Sequence, residues 1–444
     1  MDYCQKKVTI MGLGLFGGGL GVTKYFVQKN AKVLVTDLRS KEDLRESLAE
    51  LENLPIQLRL GEHCEEDFTS ADIVIVNPGV PETSRYLQLA RESGAIIDTE
   101  INIFLRECKA KIIGITGSNG KSTTTGMIHH IFEKSGIPTW LGGNIGRSLL
   151  AELPNIKEND VVVLELSSFQ LERAQDCSPQ IAVVTNVSRN HLDRHKTMEN
   201  YAWAKQNLIR FQKPSDHCIL NITLKDWENI GQGQKYYFGN HGNIQMQENK
   251  IVFQKNGIFQ PLINTDELLV RGKVNIENAM AAAMACLSWG LSVEQIAQGL
   301  RTFQGLPHRL EYIGTFQDRK IYEDSDATTP ESTMAALEAF TEPIILIAGG
   351  GDKDFDYTEL GKCISQRVKA LILMGETAPK MQKVVQNIPI HIVANMKDAV
   401  QMAKTLSEKN NVILLSPAAT SFGLFRNFVE RAEVFKKCVY EIFD

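Results

Sequence analysis

The fold of this chain is decided by the stretch Lys111-Ile-Ile-Gly-Ile-Thr-Gly-Ser-Asn-Gly-Lys-Ser-Thr-Thr-Thr125. An apolar, β-branched run breaks there into a glycine-rich turn, and Lys121 and Ser122 then begin a predicted helix. This order is typical of a phosphate-binding loop, because glycines let backbone N–H groups turn inward and a helix N-terminus attracts anions. The strict motif needs glycine at position 115, where Ile115 stands, so a plain strand-to-helix turn with a solvated lysine is the alternative. We predict a triphosphate site with Lys121 on the terminal phosphates and Ser122 on Mg²⁺, formed by Gly117, Ser118, Asn119, Gly120, Lys121, Ser122 and Thr123.

Length and composition limit the class of protein. With 444 residues, 43% of them hydrophobic and 23% charged, the chain is expected to form two to four globular domains. Its net charge of −5 gives no reason to expect nucleic acid as a partner. Because no signal-like or membrane-length apolar run occurs, and the eight cysteines form no CxxC pair, we expect a cytoplasmic protein with reduced thiols and no membrane contact.

The pattern of strands and helices predicts an α/β fold in three segments, at residues 1–95, 96–306 and 307–444. Strand-like runs alternate with helical ones in each segment, which favours parallel sheets covered by helices. A weaker stretch at about 229–272 is typical of β-hairpins and loops, and residues 275–286 are predicted to be helical. The main predicted strands, besides the one at 112–116, lie at residues 7–11, 32–37, 72–76, 161–165, 181–185, 343–348, 370–374 and 411–415.

A second glycine-rich turn follows the first predicted strand. Gly12, Gly14 and Gly17 match G-x-G-x-x-G, and Asp37 ends the next strand. This pattern is typical of a dinucleotide site, but a helix N-terminus binds pyrophosphate whatever is attached to it. A nucleotide-linked substrate, NAD and a purely structural turn therefore remain open from the residues alone.

Polar side chains also follow later strands. Glu165 ends an apolar strand, and either a Mg²⁺ ligand or a helix-capping acid fits that position. His191 is a ligand candidate because parallel strand ends share one edge of a sheet, although a surface histidine is the plainer interpretation. Lys205 has the pattern of an ordinary helical lysine. In the third segment, polar loops at 323–330, 349–353 and 415–421 indicate either a ligand-binding edge or solvated turns.

Taken together, the motifs resemble the Mur ligase family, most closely its D-glutamate-adding members. The resemblance spans essentially the whole chain in order, and its parts include Gly-Ser-Asn-Gly-Lys-Ser-Thr, Glu-Leu-Ser-Ser-Phe-Gln and Asn-His-Leu-Asp-Arg at residues 117–123, 165–170 and 190–194. It implies an N-terminal Rossmann-like domain for a UDP substrate, a central ATPase domain and a C-terminal Rossmann-like domain. The implied reaction is ATP-dependent addition of D-glutamate to UDP-N-acetylmuramoyl-L-alanine through an acyl phosphate, a step of peptidoglycan precursor synthesis.

The resemblance also implies roles for individual residues. Lys121, Glu165, His191 and Lys205 would be catalytic, Ser122, Glu165, His191 and Lys205 would hold Mg²⁺ at two sites, and Lys205 would carry a carbamate. The nucleotide would also contact Asn275, Arg309 and Asp324. The UDP-linked substrate would contact Gly14, Leu15, Phe16, Gly17, Asp37, Arg39, Asn77, Gly79, Asn144 and Ser167, and glutamate would contact Lys353, Ser421 and Phe428.

Two positions depart from the family pattern. Asp326 stands where a lysine is usual, and Val274 stands where a histidine is usual. Because Asp326 would repel a carboxylate unless Lys353 or another cation compensates, L-glutamate is the alternative substrate. The alternatives of another class are an NAD-dependent dehydrogenase and a nucleotide-binding regulator without catalysis. The expected partners are small molecules only, and the expected state is a monomer.

Overall fold

The computed structural model describes residues 2–14, 18–145 and 148–443, apart from the side chain of Asp193. These residues contain three β-sheets with helices between the strands, so the predicted α/β fold class is confirmed. The chain divides into two compact units, residues 1–263 with 278–299 and residues 264–277 with 300–444. Each unit is described separately below.

The first sheet, in the first unit, has five parallel strands in the order β3-β2-β1-β4-β5. The predicted strands at 7–11 and 32–37 are β1 and β2, and that at 72–76 is β4. Because β5 pairs with β4, this sheet runs past the predicted boundary at 95. The strands are β1 Lys7–Met11, β2 Lys32–Asp37, β3 Ile56–Leu60, β4 Ile73–Val76 and β5 Ile96–Asp98, and the helices are α1 Gly18–Gln28, α2 Arg45–Ala49, α3 Glu66–Thr69, α4 Arg85–Glu92 and α5 Glu100–Glu107.

The central sheet has nine strands in the order β14-β13-β12-β11-β10-β9-β6-β8-β7. Ile115 lies within β6 and is fully buried, so position 115 belongs to the strand and the glycine-rich loop begins after it. The strands are β6 Lys111–Thr116, β7 Thr139–Gly143, β8 Val161–Glu165, β9 Ile181–Val184, β10 His217–Asn221, β11 Gln234–Phe238, β12 Ile244–Gln247, β13 Lys250–Lys255 and β14 Ile258–Asn264. The helices are α6 Lys121–Lys134, α7 Ser168–Leu171, α8 Leu192–His195, α9 Met198–Arg210, α10 Lys273–Trp289 and α11 Val293–Thr302.

The stretch at about 229–272 is more regular than its sequence predicts. It supplies β11 to β14, which extend the central sheet, and β12 and β13 form a hairpin of the predicted kind, with Gln247 opposite Lys250. β11 continues the parallel order beside β10, and β12 and β13 then pair antiparallel. Each of these four strands buries only some of its residues, so their sequence signal is weaker than that of the fully buried strands.

The third sheet, in the second unit, has the order β15-β16-β20-β17-β18-β19. β15 and β16 are antiparallel, and the other neighbouring strands are parallel. Its strands are β15 Glu311–Phe316, β16 Arg319–Glu323, β17 Ile344–Ala348, β18 Val368–Leu373, β19 Ile390–Ile392 and β20 Val412–Leu415, and its helices are α12 Pro330–Glu338, α13 Thr358–Arg367, α14 Ala378–Val384, α15 Met396–Leu406 and α16 Phe428–Phe443. In the part of the chain that the structure describes, no helix has the length and apolar character needed to cross a membrane.

Candidate active site

The predicted phosphate-binding loop, called the phosphate loop below, joins β6 to α6, the position expected from the sequence. Gly120 immediately precedes α6 in the left-handed conformation, with φ of 80°. A side chain at Gly117 is excluded by contact, because a Cβ there would lie 1.8 Å from Thr185 Oγ1. At Gly120 a Cβ would lie 2.3 Å from Asn278 Oδ1. Both glycines are therefore required by the shape of the loop.

Hydrogen bonds hold this loop against the residues that follow β9. Asn186 O accepts from Ser118 N and Asn186 Oδ1 accepts from Asn119 N, both at 2.9 Å. Thr185 Oγ1 donates to Asn119 O at 2.6 Å. Neither Thr185 nor Asn186 was singled out from the sequence. The available signal was their position at the end of β9, the strand directly beside β6.

Two lysine side chains converge on the loop backbone. Lys121 Nζ donates to Gly117 O at 3.1 Å and to Ser118 O at 3.0 Å. Lys205 Nζ, from α9, donates to Gly117 O at 2.7 Å, and the residue is 1% exposed. Burial, reinforced by the positive charge of Lys121 and opposed by Glu165, lowers the pKa of the Lys205 ammonium to about 7. Lys205 lies on a helix as its sequence pattern predicts, but it is not an ordinary solvent-exposed lysine, because its amine is buried and its pKa is lowered to about 7.

Glu165 lies at the end of β8 and is 1% exposed. Its Oε1 accepts a hydrogen bond from Asn144 Nδ2 at 2.7 Å. Its Oε2 is buried without a hydrogen-bond partner among the described residues. Because a buried carboxylate oxygen needs compensation, this arrangement fits a hard cation such as Mg²⁺.

His191 and Ser167 are placed by two short helices. His191 immediately precedes α8 with φ of 52°, and its ring meets the Phe169 ring edge-on at 4.9 Å. Ser167 caps α7, where its side chain and that of Gln170 form a reciprocal capping box. The Phe169 ring also stacks on His195, which is buried and hydrogen-bonds Ser168 Oγ through Nε2 at 2.9 Å.

Of the residues predicted to contact the UDP-linked substrate, those that the structure describes in the first segment lie where β1, β2 and β4 end, at one edge of the first sheet. Asp37 Oδ2 accepts from Leu13 N at 2.9 Å and Gly14 N at 3.2 Å, so the carboxylate fixes the glycine turn. Arg39 N donates to Asp37 Oδ1 at 2.9 Å. Asn77 and Gly79 lie in the loop after β4, where Gly79 N donates to Asn77 Oδ1. The predicted contacts at positions 15, 16 and 17 (Leu15, Phe16, Gly17) fall outside the described residues.

In the second unit, Asp324 follows β16 and is buried. Ser416 Oγ donates to Asp324 Oδ2 at 2.8 Å, and Leu310 N donates to Asp324 Oδ1 at 3.0 Å. Burial raises the pKa of Asp324 to about 7, against the effect of these hydrogen bonds. The carboxyl group is therefore poised between its protonated and ionised forms near neutral pH.

Asp326 has a cationic partner. Arg309 Nη2 lies 3.0 Å from Asp326 Oδ2, so the cation that compensates this acid in the structure is Arg309. Val274 is 59% exposed in the first turn of α10. Asn275 Nδ2 donates to Arg271 O at 2.8 Å.

The remaining predicted glutamate contacts also belong to the second unit. Lys353 is exposed in the loop after β17, and Ser421 is buried after β20. Phe428 begins α16, and its ring lies 5.8 Å from that of His308, which sequence analysis did not single out. His308 Nδ1 is 2.9 Å from Glu323 Oε2, so it holds the end of β16.

Comparison with protein families gives three matches in chain order. Residues 6–98 match the Mur ligase MurD-like N-terminal domain, residues 115–286 match the Mur ligase middle domain, and residues 308–419 match the Mur ligase glutamate ligase domain. These ranges contain the first-sheet edge, the phosphate loop and the Asp324 region described above.

Full-length relatives agree with these matches. A protein from Roseiflexus sp. (strain RS-1), named UDP-N-acetylmuramoylalanine--D-glutamate ligase, is 38% identical and covers 99% of both chains. One of the same name from Symbiobacterium thermophilum is 37% identical and covers 98% of both.

Solved structures show the same fold. The crystal structure of UDP-N-acetylmuramate-alanine ligase MurC from Thermotoga maritima has a TM-score of 0.57 at 20% identity, covering 98% of this chain and 99% of that one. MurF ligase from Thermotoga maritima in complex with ADP has a TM-score of 0.57 at 16% identity, covering 92% and 95%. Because three domain matches follow one another and relatives at 37–38% identity span nearly its whole length, the chain belongs to the Mur ligase family.

Proposed function

We propose that this chain is an ATP-dependent amide ligase that joins D-glutamate to UDP-N-acetylmuramoyl-L-alanine in peptidoglycan precursor synthesis. The proposal rests mainly on the cluster of charged residues around the phosphate loop. Lys121 and Lys205 both donate hydrogen bonds to the loop backbone, and the charge of Glu165 acts on Lys205. The names of the full-length relatives supply the substrate. The dehydrogenase and regulator hypotheses have no comparable support, since the family matches are to ligase domains.

The chemistry follows from the weakness of a carboxylate as an electrophile. The substrate carboxylate attacks the γ-phosphorus of ATP, ADP leaves, and an acyl phosphate forms. The glutamate amine then attacks the acyl carbon, and phosphate leaves as the nitrogen loses a proton. Lys121, at the first position of α6, would spread the negative charge of the transferred group, and the loop amides would orient it.

Glu165, His191 and Ser122 are the proposed Mg²⁺ ligands, with a carbamate on Lys205 as a further oxygen donor. Oε2 of Glu165, which is buried and has no hydrogen-bond partner in the described part of the chain, supports the first assignment. Bound Mg²⁺ supplies positive charge that offsets the charge of the transferring phosphoryl group. CO₂ adds only to a neutral amine, and the pKa of about 7 at Lys205 supports that modification.

The proposed substrate sites follow the three segments predicted from the sequence. We assign residues 1–95 to the UDP substrate, 96–306 to ATP and 307–444 to glutamate and part of the nucleotide. Within them, the first-sheet edge at Gly14, Asp37 and Asn77 is the proposed uridine-nucleotide site. Asn144 and Ser167 would face the muramoyl group. Asn275, Arg309 and Asp324 would contact the nucleotide, and Lys353, Ser421 and Phe428 the glutamate.

D-glutamate is preferred over L-glutamate as the substrate. The relatives are named for the D isomer, and the acid that suggested otherwise, Asp326, is paired with Arg309. The charge that would repel a substrate carboxylate is therefore offset within the second unit. A monomer in the cytoplasm, with small molecules as its only partners, remains the accompanying prediction.

Phosphate release by the purified protein tests the proposal. UDP-N-acetylmuramoyl-L-alanine, ATP and Mg²⁺ are supplied with D-glutamate or L-glutamate in separate reactions. We expect phosphate release that depends on D-glutamate. No release with either isomer refutes the ligase, and a preference for the L isomer corrects the substrate. For the carbamate, Lys205→Ala should be inactive and partly rescued by short carboxylic acids, and normal activity without rescue refutes that role.

A further inference from the structure

Two arginines of the central-sheet region bind the backbone of the loop that follows β4. Arg194 Nη1 donates to Gly79 O at 3.2 Å, and its Nη2 donates to Pro78 O at 3.3 Å and to Val80 O at 3.0 Å. Arg173 Nη2 donates to the same Val80 O at 2.9 Å. Three consecutive carbonyls of one loop are thus held by two cations from another part of the same unit.

Both guanidinium groups are themselves held in place. The side chains of Arg194 and Arg173 are 19% and 8% exposed. Glu172 Oε2 lies 3.1 Å from Arg194 Nη2, and Glu82 Oε2 lies 2.9 Å from Arg173 Nε. A planar guanidinium with several fixed donors is well suited to such multiple contacts, because little side-chain freedom is lost for each bond formed.

Arg194 also lies close to Phe169, whose ring packs against the proposed metal ligand His191. Its guanidinium lies 5.6 Å from the centre of the Phe169 ring. The same ring meets His191 at 4.9 Å and stacks on His195 at 5.5 Å. Arg194 therefore touches the loop at 78–80 on one side and the ring that packs against His191 on the other.

The bound loop is also tied to the glycine turn after β1. Asn77 Nδ2 lies 3.5 Å from Gly12 O, and Asn77 Oδ1 accepts from Gly79 N at 3.1 Å. A Cβ at Gly12 would lie 2.9 Å from Asn77 Cβ, so the turn and the loop are in close contact. The position of the loop at 77–80 therefore also sets the position of the proposed UDP site.

We propose that Arg194 and Arg173 form a clamp that fixes the UDP-side loop at 77–80 relative to the His191 loop. This inference rests on the proposed function, and it makes Arg194 a positioning residue for the reaction. Arg194 need not touch substrate. Its role is to keep the site that holds the UDP-linked substrate in register with the phosphate loop, so that the reacting carboxylate meets the γ-phosphate.

Kinetics and binding of Arg194→Ala and Arg194→Lys, each compared with the unaltered protein, test the clamp. The loss of several charge-assisted bonds should lower kcat/KM for the UDP-linked substrate by at least about tenfold in Arg194→Ala. Arg194→Lys should keep only part of the original kcat/KM for the UDP-linked substrate, because a single ammonium group cannot donate to all three carbonyls. The affinity for ATP should stay within about twofold, since the phosphate loop is held by separate bonds. Guanidinium ion should partly rescue Arg194→Ala.

Arg85→Ala is the matched control, because Arg85 is 68% exposed on α4 and pairs with Glu65. Arg85→Ala should leave kcat/KM for the UDP-linked substrate and the affinity for ATP unchanged. An unchanged kcat/KM for the UDP-linked substrate in Arg194→Ala overturns the proposal. Equal losses for ATP and the UDP-linked substrate also overturn it, because they indicate general destabilisation instead of positioning.

Amide hydrogen exchange separates this inference from the proposed function. The Gly79 and Val80 amides are bonded to Asn77, so release of the clamp should speed their exchange by about tenfold in Arg194→Ala and not in Arg85→Ala. This readout needs no activity. If exchange is faster in Arg194→Ala but the unaltered protein has no ligase activity, the clamp is supported and the proposed function is refuted. Unchanged exchange in Arg194→Ala refutes the clamp.

Discussion

Replacing Lys205 by methionine should stabilise the ligand-free protein while it removes activity. The lysine is 1% exposed, and burial lowers its pKa from 10.5 to about 7. This difference corresponds to about 5 kcal/mol against the charged form, at about 1.36 kcal/mol per pH unit. At about pH 7, where half of the amine is protonated, the cost to the folded state is about 4 kcal/mol. Methionine has a similar linear shape and carries no charge.

The hydrogen bond from Lys205 to Gly117 O offsets part of this gain. Its loss costs about 1 kcal/mol, and Gly117 O still accepts from Lys121. The net expectation for Lys205→Met is therefore a gain of about 3 kcal/mol. The sign of the pH dependence also follows. The unfolded chain keeps a proton on Lys205 up to about pH 10.5 and the folded chain loses it near pH 7, so stability rises with pH between those values.

Urea unfolding followed by tryptophan fluorescence measures both effects. All four tryptophans, Trp140, Trp203, Trp227 and Trp289, belong to the first unit, which contains Lys205. In bicarbonate-free buffer the unaltered protein should gain about 2 kcal/mol from this group between about pH 7 and about pH 9, and Lys205→Met should lack that gain.

The control is Lys134→Met, at an exposed position near the end of α6, which should behave like the unaltered protein. A Lys205→Met protein that is less stable than the unaltered one would refute the reasoning. An unchanged dependence of its stability on pH would do the same.

Three further substitutions test the candidate site. Gly117→Ala should lower the free energy of unfolding by at least about 3 kcal/mol and abolish ATP binding in calorimetry, because its Cβ would lie 1.8 Å from Thr185 Oγ1. Adding Thr185→Ala to the same chain should restore part of the lost stability. A normal urea midpoint for Gly117→Ala contradicts this prediction. Glu165→Gln should keep the circular dichroism spectrum and lower phosphate release by at least about a hundredfold, because an amide is a weaker Mg²⁺ ligand than a carboxylate; activity within tenfold contradicts this. The pKa of Asp324 is raised to about 7, so this group adds stability that is fully present below pH 3.8 and is lost as pH rises through 7. In urea unfolding followed by circular dichroism, the free energy of unfolding of the unaltered protein should fall by about 3 kcal/mol from this group between pH 5 and 8, and Asp324→Asn should lack that fall. An equal fall in Asp324→Asn contradicts this prediction.

Sequence patterns predicted the parts of this protein that depend on local order. The phosphate loop could be predicted from the sequence because an apolar strand, two glycines and Lys121 follow one another in the chain. Glu165 could be assigned to a strand end because β8 is a continuous apolar run. The family resemblance then predicted the reaction, which agrees with the names of the full-length relatives. The domain bounds and individual site roles remain predictions.

Other features depend on contacts between distant residues, which no local pattern reports. The order of the central sheet places Thr185 and Asn186 beside the phosphate loop, and it builds β11 to β14 into the same sheet. Asp326 is offset by Arg309, 17 residues earlier in the chain. The grip of Arg194 on the loop at 78–80 joins positions more than a hundred residues apart.

The sequence by itself therefore determined the class of fold and the kind of chemistry, because strand periodicity, glycine turns and a lysine at a helix start are short-range features. Only the tertiary structure decided the protonation behaviour of Lys205. An ordinary helical lysine pattern becomes a buried amine when α9 packs against the phosphate loop, since the loss of water, which depends on the whole surrounding fold, lowers the pKa of that group.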